Sequence, residues 1–201
     1  MKKVFRKYII GVDEVGRGPI AGPVTVCAAM VPHGFIFGKG NKNRPNDSKK
    51  ISEKKREEWF LYAKENKDIS YAISSVSPAV IDKIGISRAT ILAVGRSIKK
   101  LSSTWYSDYQ VEILLDGLLH APKQYKQKTI IKGDEKEPII SLASIIAKVT
   151  RDRYMTKLEK TYPGYGLESH KGYGTKKHYE CIKKHGISDI HRRSFLRGLQ
   201  K

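Results

Sequence analysis

Residues 8–31 read YIIGVDEVGRGPIAGPVTVCAAMV, and they hold both the start of the fold and the start of its chemistry. Residues 7–13 and 23–31 are short, β-branched, apolar runs bounded by glycine or proline, the signature of strands. The segment between them is too short for a crossover helix, so the two strands pair antiparallel. Asp13 and Glu14 close the first run, and glycines follow at Gly16, Gly18 and Gly22 with Arg17 among them. An acidic pair at a strand end invites a divalent cation, and the glycines let a phosphate or sugar approach the backbone. The same residues also fit a solvated turn after an edge strand.

Further along, residues 33–50 are polar, basic and glycine-containing, which predicts a loop with a mobile tip. Ser52 to about Lys67 has helical character: Ser52 suits the N-cap, Glu53 the positive end of the dipole, and Trp59, Tyr62 and Ala63 fall on one side. Residues 69–76 predict a third strand. Ile84 to Leu101 predicts a helix with Ile91, Val94, Ile98 and Leu101 as its apolar stripe. The run VEILL at 111–115 predicts a strand leading into Asp116-Gly117, and Thr129–Lys132 another ending at Gly133-Asp134. Pro138 to about Lys160 is the longest helical stretch, with proline acceptable in its first turn and an apolar first half. A small helix follows Thr175, and the tail carries HRRSFLRG. Strands that alternate with helices predict an α/β fold with a mixed sheet flanked by helices. No repeat, low-complexity tract or linker divides the chain, so a single domain is expected.

The 201 residues carry 39 Lys and Arg against 20 Asp and Glu, a formal charge of +19. That surplus favours polyanionic partners and argues against acidic proteins or cationic polymers as substrate. The basic start lacks the apolar core of a signal peptide, no stretch has the length to span a bilayer, and Cys27 and Cys181 are too few for a disulfide scaffold. The expectation is a cytoplasmic monomer that does not enter membranes.

Asp13, Glu14, Asp116 and Asp134 share a setting: each lies at or just past the end of an apolar run, close to a glycine. Gathered in one cleft, four carboxylates would repel one another without cations. Oxygen ligands then suit Mg²⁺ or Mn²⁺, and two such ions can activate water and steady a leaving oxygen in phosphodiester hydrolysis. Each aspartate taken singly also fits a turn or a helix cap, and periodicity cannot bring the four together. Six histidines form no HExxH or Cys/His cluster, which argues against zinc. No G-x-S-x-G elbow and no G-x-x-x-x-G-K-[ST] loop occur. HKGYGTKKHY at 170–179 pairs basic residues with flexible glycines, suited either to phosphates, with Tyr173 or Tyr179 stacking, or to a solvated loop. Asp152 is read as structural, paired with Lys148, Arg151 or Arg153.

Seven segments in this order resemble one family: GVDEVGRGPIAGPV at 11–24, NDSKK at 46–50, LLDG at 114–117, KGD at 132–134, SIIAKVTRDR at 144–153, HKGYGT at 170–175 and HRRSF at 191–195. Over roughly residues 7–198 the chain is similar to the bacterial ribonucleases HII, the type 2 ribonucleases H. The resemblance implies an RNase H-like fold, with residues 161–201 packed as a helical, substrate-binding extension. It implies a metal-dependent endonuclease that cuts RNA in RNA–DNA hybrids. It also implies nicking 5′ of single ribonucleotides in duplex DNA, leaving 3′-hydroxyl and 5′-phosphate ends, with two Mg²⁺ or Mn²⁺ ions.

The four family carboxylates match Asp13, Glu14, Asp116 and Asp134, as catalytic residues and metal ligands alike. The KGD motif assigns the fourth place to Asp134 rather than Asp152. Gly16, Arg17 and Gly18 match the turn that senses the ribose 2′-hydroxyl, Tyr173 the tyrosine that packs on the adjoining sugar, and Lys49 a phosphate-contacting lysine. His170 and Lys171 are further substrate-binding candidates. Departures are small: Val15 stands where alanine is common, the 33–46 loop is longer and more basic, and no sliding-clamp tail is evident after Arg197. The type HIII relatives, with an added N-terminal domain and no GRG turn, fit less well. Two other classes compete: a general DNA nuclease, which would cut without a ribonucleotide, and an RNA- or ribosome-binding module, which would bind equally in EDTA.

Overall fold

The computed structural model describes residues 6–38, 45, 48, 50–103, 109–196 and 198. Strands β1 (Arg6–Val15) and β2 (Val24–Pro32) pair antiparallel, with Tyr8 opposite Pro32 and Val15 opposite Thr25. Strand β3 (Ser70–Val76) continues antiparallel on β2, whereas β4 (Tyr109–Asp116) and β5 (Gln127–Ile130) run parallel to β1. The order β3-β2-β1-β4-β5 makes the sheet mixed and puts β1 at its centre, as the strand pattern predicts.

The period-two alternation of β2 separates the two cores. Val24, Val26, Ala28 and Met30 join helices α2 (Pro78–Ile84) and α3 (Ile86–Ser102) on one face. Cys27, Ala29 and Val31 join α1 (Glu53–Glu65) and α5 (Pro138–Thr161) on the other. Ile140, Leu142, Ile145 and Ile146 of α5 are fully buried, each contributing about 1.5–3 kcal/mol relative to exposure. A Cβ on Gly11 would lie 2.4 Å from backbone atoms of Ile139, so only glycine lets α5 press this closely on β1. A third apolar cluster joins Ile20, Ala21 and Met155 to the C-terminal part of the chain. That part includes the one-turn α6 (Leu167–His170), α7 (Lys176–His185) and a 3₁₀ turn, Arg193–Phe195.

Ser52 caps α1 by accepting the Lys55 N–H at 3.2 Å, and Thr175 caps α7 by accepting that of His178 at 3.2 Å. The helix expected from Ile84 to Leu101 is α3, which begins at Ile86; nothing in the sequence pattern signals α2 before it, and Gly85, with φ of 81°, separates the two. Two expectations need correction. Ile91 is exposed at the edge of α3, and Ala89, Thr90, Ala93 and Ser97 supply the buried surface beside Val94, Ile98 and Leu101. The strand expected at 129–132 lies at 127–130; Lys132 takes a left-handed conformation, and Asp134 belongs to the single turn α4 (Gly133–Lys136). The tip of the 33–50 loop falls largely outside the described residues. Among the described residues no helix is long and apolar enough to cross a membrane.

Candidate active site

The sheet register assembles the carboxylates. Val12 pairs with Leu115 in the parallel β1–β4 ladder, so the next position on each strand sets Asp13 beside Asp116 at the C-terminal ends of adjacent strands. Parallel strand ends of this kind are where α/β sheets place their ligands. Both residues have the parity of Gly11 and Leu114, the face covered by α5. Asp13 is buried and its Oδ1 accepts the Glu14 N–H at 2.7 Å, while the Ser144 hydroxyl of α5 favours its ionised form. Ser144 shares a 2.9 Å hydrogen bond with Ser48, which docks Ser48 against α5. Arg56 donates to the carbonyls of Ser48 and Ile51 at 2.9 and 2.7 Å.

Asp116 Oδ1 accepts the Gly133 N–H at 2.6 Å and the Asp134 N–H at 3.3 Å. The KGD turn is thereby fastened to the end of β4, with Asp134 buried next to it. Burial, then the charges of Glu14 and Asp116, hold the Asp13 carboxyl well above the usual aspartate range. Burial likewise raises Glu14, against the pull of Arg17, whose guanidinium lies 3.6 Å from its carboxylate. Asp13, Glu14 and Asp116 thus share one crowded anionic field, with Asp134 bonded through its backbone to Asp116. Among the described residues no three side chains form a group that could hold a metal ion by themselves. Cys27 stands opposite Asp13 on β2, and burial, then the charge of Asp13, push its thiol up, away from the thiolate a nucleophile needs.

The glycine-arginine-glycine turn follows directly. Gly16 is buried with φ of +88°, and a Cβ there would meet Arg151 Nε at 2.3 Å and the Pro23 carbonyl at 2.8 Å. Arg17 and Gly18 are exposed. Tyr173 is 43% exposed, and its ring edge would stand 3.9 Å from a Cβ on Gly18. The structure therefore joins HKGYGT to the GRG turn, although more than 150 residues separate them.

His170 and Lys171 are engaged internally. The His170 ring stacks on His178 with centroids 4.2 Å apart and bonds the Tyr165 carbonyl at 2.8 Å. Lys171 Nζ donates to Thr156 Oγ1 at 3.0 Å and to the Glu168 carbonyl at 2.6 Å. Asp152 pairs with Lys148 at 3.0 Å, the structural role expected of it. Lys49 lies outside the described residues. The sequence reading passed over Arg151 and Arg192, both fully buried beneath the turn. The available signal was the four-residue spacing of Ala147, Arg151 and Met155, which puts a charge on the buried face of α5.

The ribonuclease HII family model matches residues 10–198. The chain belongs to the ribonuclease HII family. It is 48% identical over 188 residues to ribonuclease HII of Bacillus thuringiensis (strain Al Hakam), covering 94% of this chain and 68% of that protein. The structure of ribonuclease H2 from Pyrococcus horikoshii OT3 superposes with a TM-score of 0.67 at 26% identity, covering 96% of this chain and 97% of that one. The Archaeoglobus fulgidus RNase HII solved in complex with PCNA shares the fold, with a TM-score of 0.70 at 23% identity and 92% and 93% coverage. As a ribonuclease HII family member, the protein is a nuclease with the RNase H-like fold.

Proposed function

We propose that this member of the ribonuclease HII family cuts the RNA strand of RNA–DNA hybrids and nicks duplex DNA on the 5′ side of single embedded ribonucleotides. The products carry 3′-hydroxyl and 5′-phosphate ends. The observation that carries the reading is the juxtaposition of an anionic cluster (Asp13, Glu14, Asp116 and Asp134) with a glycine turn and Tyr173. One part suits phosphodiester chemistry and the other suits a ribose.

The donor set fits divalent Mg²⁺ or Mn²⁺: all four side chains offer carboxylate oxygens, and their repulsion is what a cation would relieve. Asp13, on the central strand, would hold the ions together with Glu14, Asp116 and Asp134. Ions that retain some of their waters would suit these oxygen donors. When bound, two ions supply an acidified water and neutralise charge at the departing oxygen. The N–H groups of Gly133 and Asp134 orient Asp116, the Glu14 N–H orients Asp13, and Arg17 restrains Glu14. No side-chain nucleophile is required.

Gly16, Arg17 and Gly18 are assigned to the 2′-hydroxyl, a group that both donates and accepts and that DNA lacks. Tyr173, half-exposed beside Gly18, is assigned to the adjoining sugar. Lys49 is assigned to a phosphate; His170 and Lys171, engaged internally, are assigned to shaping the Tyr173 loop rather than to direct contact. The formal charge of +19 supports a long polyanionic partner.

The test uses a DNA duplex with one internal ribonucleotide and its all-DNA twin, with product ends mapped in Mg²⁺ and in EDTA. A single Mg²⁺-dependent nick 5′ of the ribonucleotide, with the twin intact, is expected. Cleavage of both duplexes would replace the reading with a general nuclease. Binding without cleavage in either metal would reduce the protein to an inactive relative.

A further inference from the structure

Beneath the GRG turn lie two arginines that the chemistry above does not use. Arg151 and Arg192 are each 0% exposed, and among the described residues neither forms an ion pair with a carboxylate. Their donors go to backbone carbonyls instead. Arg192 reaches the carbonyls of Gly16 at 2.6 Å, Arg17 at 2.9 Å and Gly22 at 2.9 Å. Arg151 reaches those of Pro23 at 2.9 Å, Lys171 at 2.9 Å and Ala21 at 3.2 Å. The two side chains thus hold the turn and the segment leading into Tyr173.

Two buried like charges are expensive, and well-packed apolar side chains in their place are often neutral or better for stability. Burial and the charge of Arg151 press Arg192 down to about 9, which leaves it protonated at neutral pH. The geometry gives such a costly pair a purpose. In a planar trans peptide the C=O of one residue and the N–H of the next point in opposite directions. With the carbonyls of Gly16 and Arg17 drawn inward onto Arg192, the N–H groups of Arg17 and Gly18 are turned outward. Both residues are exposed, and neither N–H donates to another atom among the described residues. The backbone around the clamp is doubly tied: Gly172 O accepts from Ile20 and Ala21 at 2.9 and 3.1 Å, and Arg192 N donates to Ile20 O at 2.7 Å.

We infer that Arg192, with Arg151, is a positioning residue for sugar discrimination: the pair fixes the peptide orientations of the GRG turn so that two N–H groups are presented to the ribose. This inference rests on the proposed reading of the 2′-hydroxyl by that turn and names what enforces it. Arginine is required because its planar fork serves three carbonyls at once, whereas lysine keeps the charge but not the fork.

The experiment compares the full chain with Arg192→Lys and Arg192→Met. It measures binding of the single-ribonucleotide duplex and of its all-DNA twin in EDTA, then kcat and KM in Mg²⁺, with thermal unfolding as the check on folding. For Arg192→Met the expected result is loss of the binding preference for the ribonucleotide duplex, with affinity for the twin unchanged. Its kcat falls about 100-fold, the scale of a small misplacement of reacting groups, and its KM for the ribonucleotide duplex rises toward the Kd of the twin. Arg192→Lys is expected to restore part of both, and it carries the test alone should Arg192→Met fail to fold. A folded variant that keeps the wild-type preference and kcat would overturn the inference. Wild-type protein that binds both duplexes equally and cuts both would instead overturn the reading of the GRG turn on which it rests.

Discussion

Asp13 illustrates how a residue can be costly to the fold and necessary to the chemistry. It is buried, it shares its field with Glu14 and Asp116, and each of these raises the energy of its ionised form. Asp13→Asn preserves shape and hydrogen bonding but removes the charge. The expected outcome is a thermal midpoint in EDTA equal to or above wild type, with Mg²⁺-dependent cleavage down about 1,000-fold. Cleavage at the wild-type rate would remove Asp13 from the site. Gly16 makes the complementary point about space. A methyl there meets Arg151 Nε and the Pro23 carbonyl under a φ of +88°, a combination that costs about 1–3 kcal/mol. Gly16→Ala is therefore expected to lower the midpoint in chemical denaturation and to lose ribonucleotide nicking even at temperatures where it stays folded.

Helix α2 has a function that its short length conceals. Asp82 accepts the N–H groups of Arg193 and Ser194 at 2.8 and 2.9 Å and bonds the Ser194 hydroxyl. One carboxylate thereby caps the 3₁₀ turn that immediately follows Arg192, and the guanidinium of Arg192 stands 5.2 Å from the Phe195 ring centroid. Asp82→Ala leaves three donors without this acceptor, a cost of about 1–3 kcal/mol. Urea denaturation should register that loss, and nicking should fall because the clamp beneath the GRG turn loosens. Stability and nicking both unchanged would show that α2 does not brace the clamp.

Across the molecule, the C-terminal part is held together by neutral histidines. His178 donates from Nδ1 to the Tyr173 carbonyl at 2.9 Å, His191 Nε2 lies 3.2 Å from His178 Nε2, and the Ser188 N–H reaches His191 Nδ1 at 3.1 Å. That pattern leaves one proton between the two facing Nε2 atoms, so a second would set donor against donor. Burial presses His178 down to about 4 and lowers His170 and His191, with Lys177 and Arg193 acting in the same direction and Glu159 against it. The unfolded chain takes up these protons near pH 6.5 while the folded chain refuses them. Stability from His178 is thus full above about pH 6.5 and is lost as pH falls toward 4, by about 1.4 kcal/mol per pH unit for the proton withheld. Asp13 and Glu14, raised in the fold, act in the opposite sense as they protonate. Histidine ring NMR separates the two effects: the His178 resonance should titrate near 4, and titration near 6.5 would show the ring to be solvated.

The sequence by itself determined most of the longer elements, whose causes are local. The β-branched runs around 7–13 and 23–31, the cap at Ser52 and the apolar first half of α5 each follow from neighbours within a few residues. It also identified Asp13, Glu14, Asp116 and Asp134 as unusual, because each sits where a strand-like run stops beside glycine. It did not reveal α2, because seven residues are too few to show a helical period and the helix closes at Gly85 with a positive φ. Nor did spacing alone bring Asp13 beside Asp116: that required the parallel register of β1 and β4, which depends on side chains a hundred positions apart. The clamp under the GRG turn was decided entirely by tertiary structure. Arg151 and Arg192 read as ordinary basic residues in a chain of charge +19, and their role appears only when packing removes them from water and leaves backbone carbonyls as their partners.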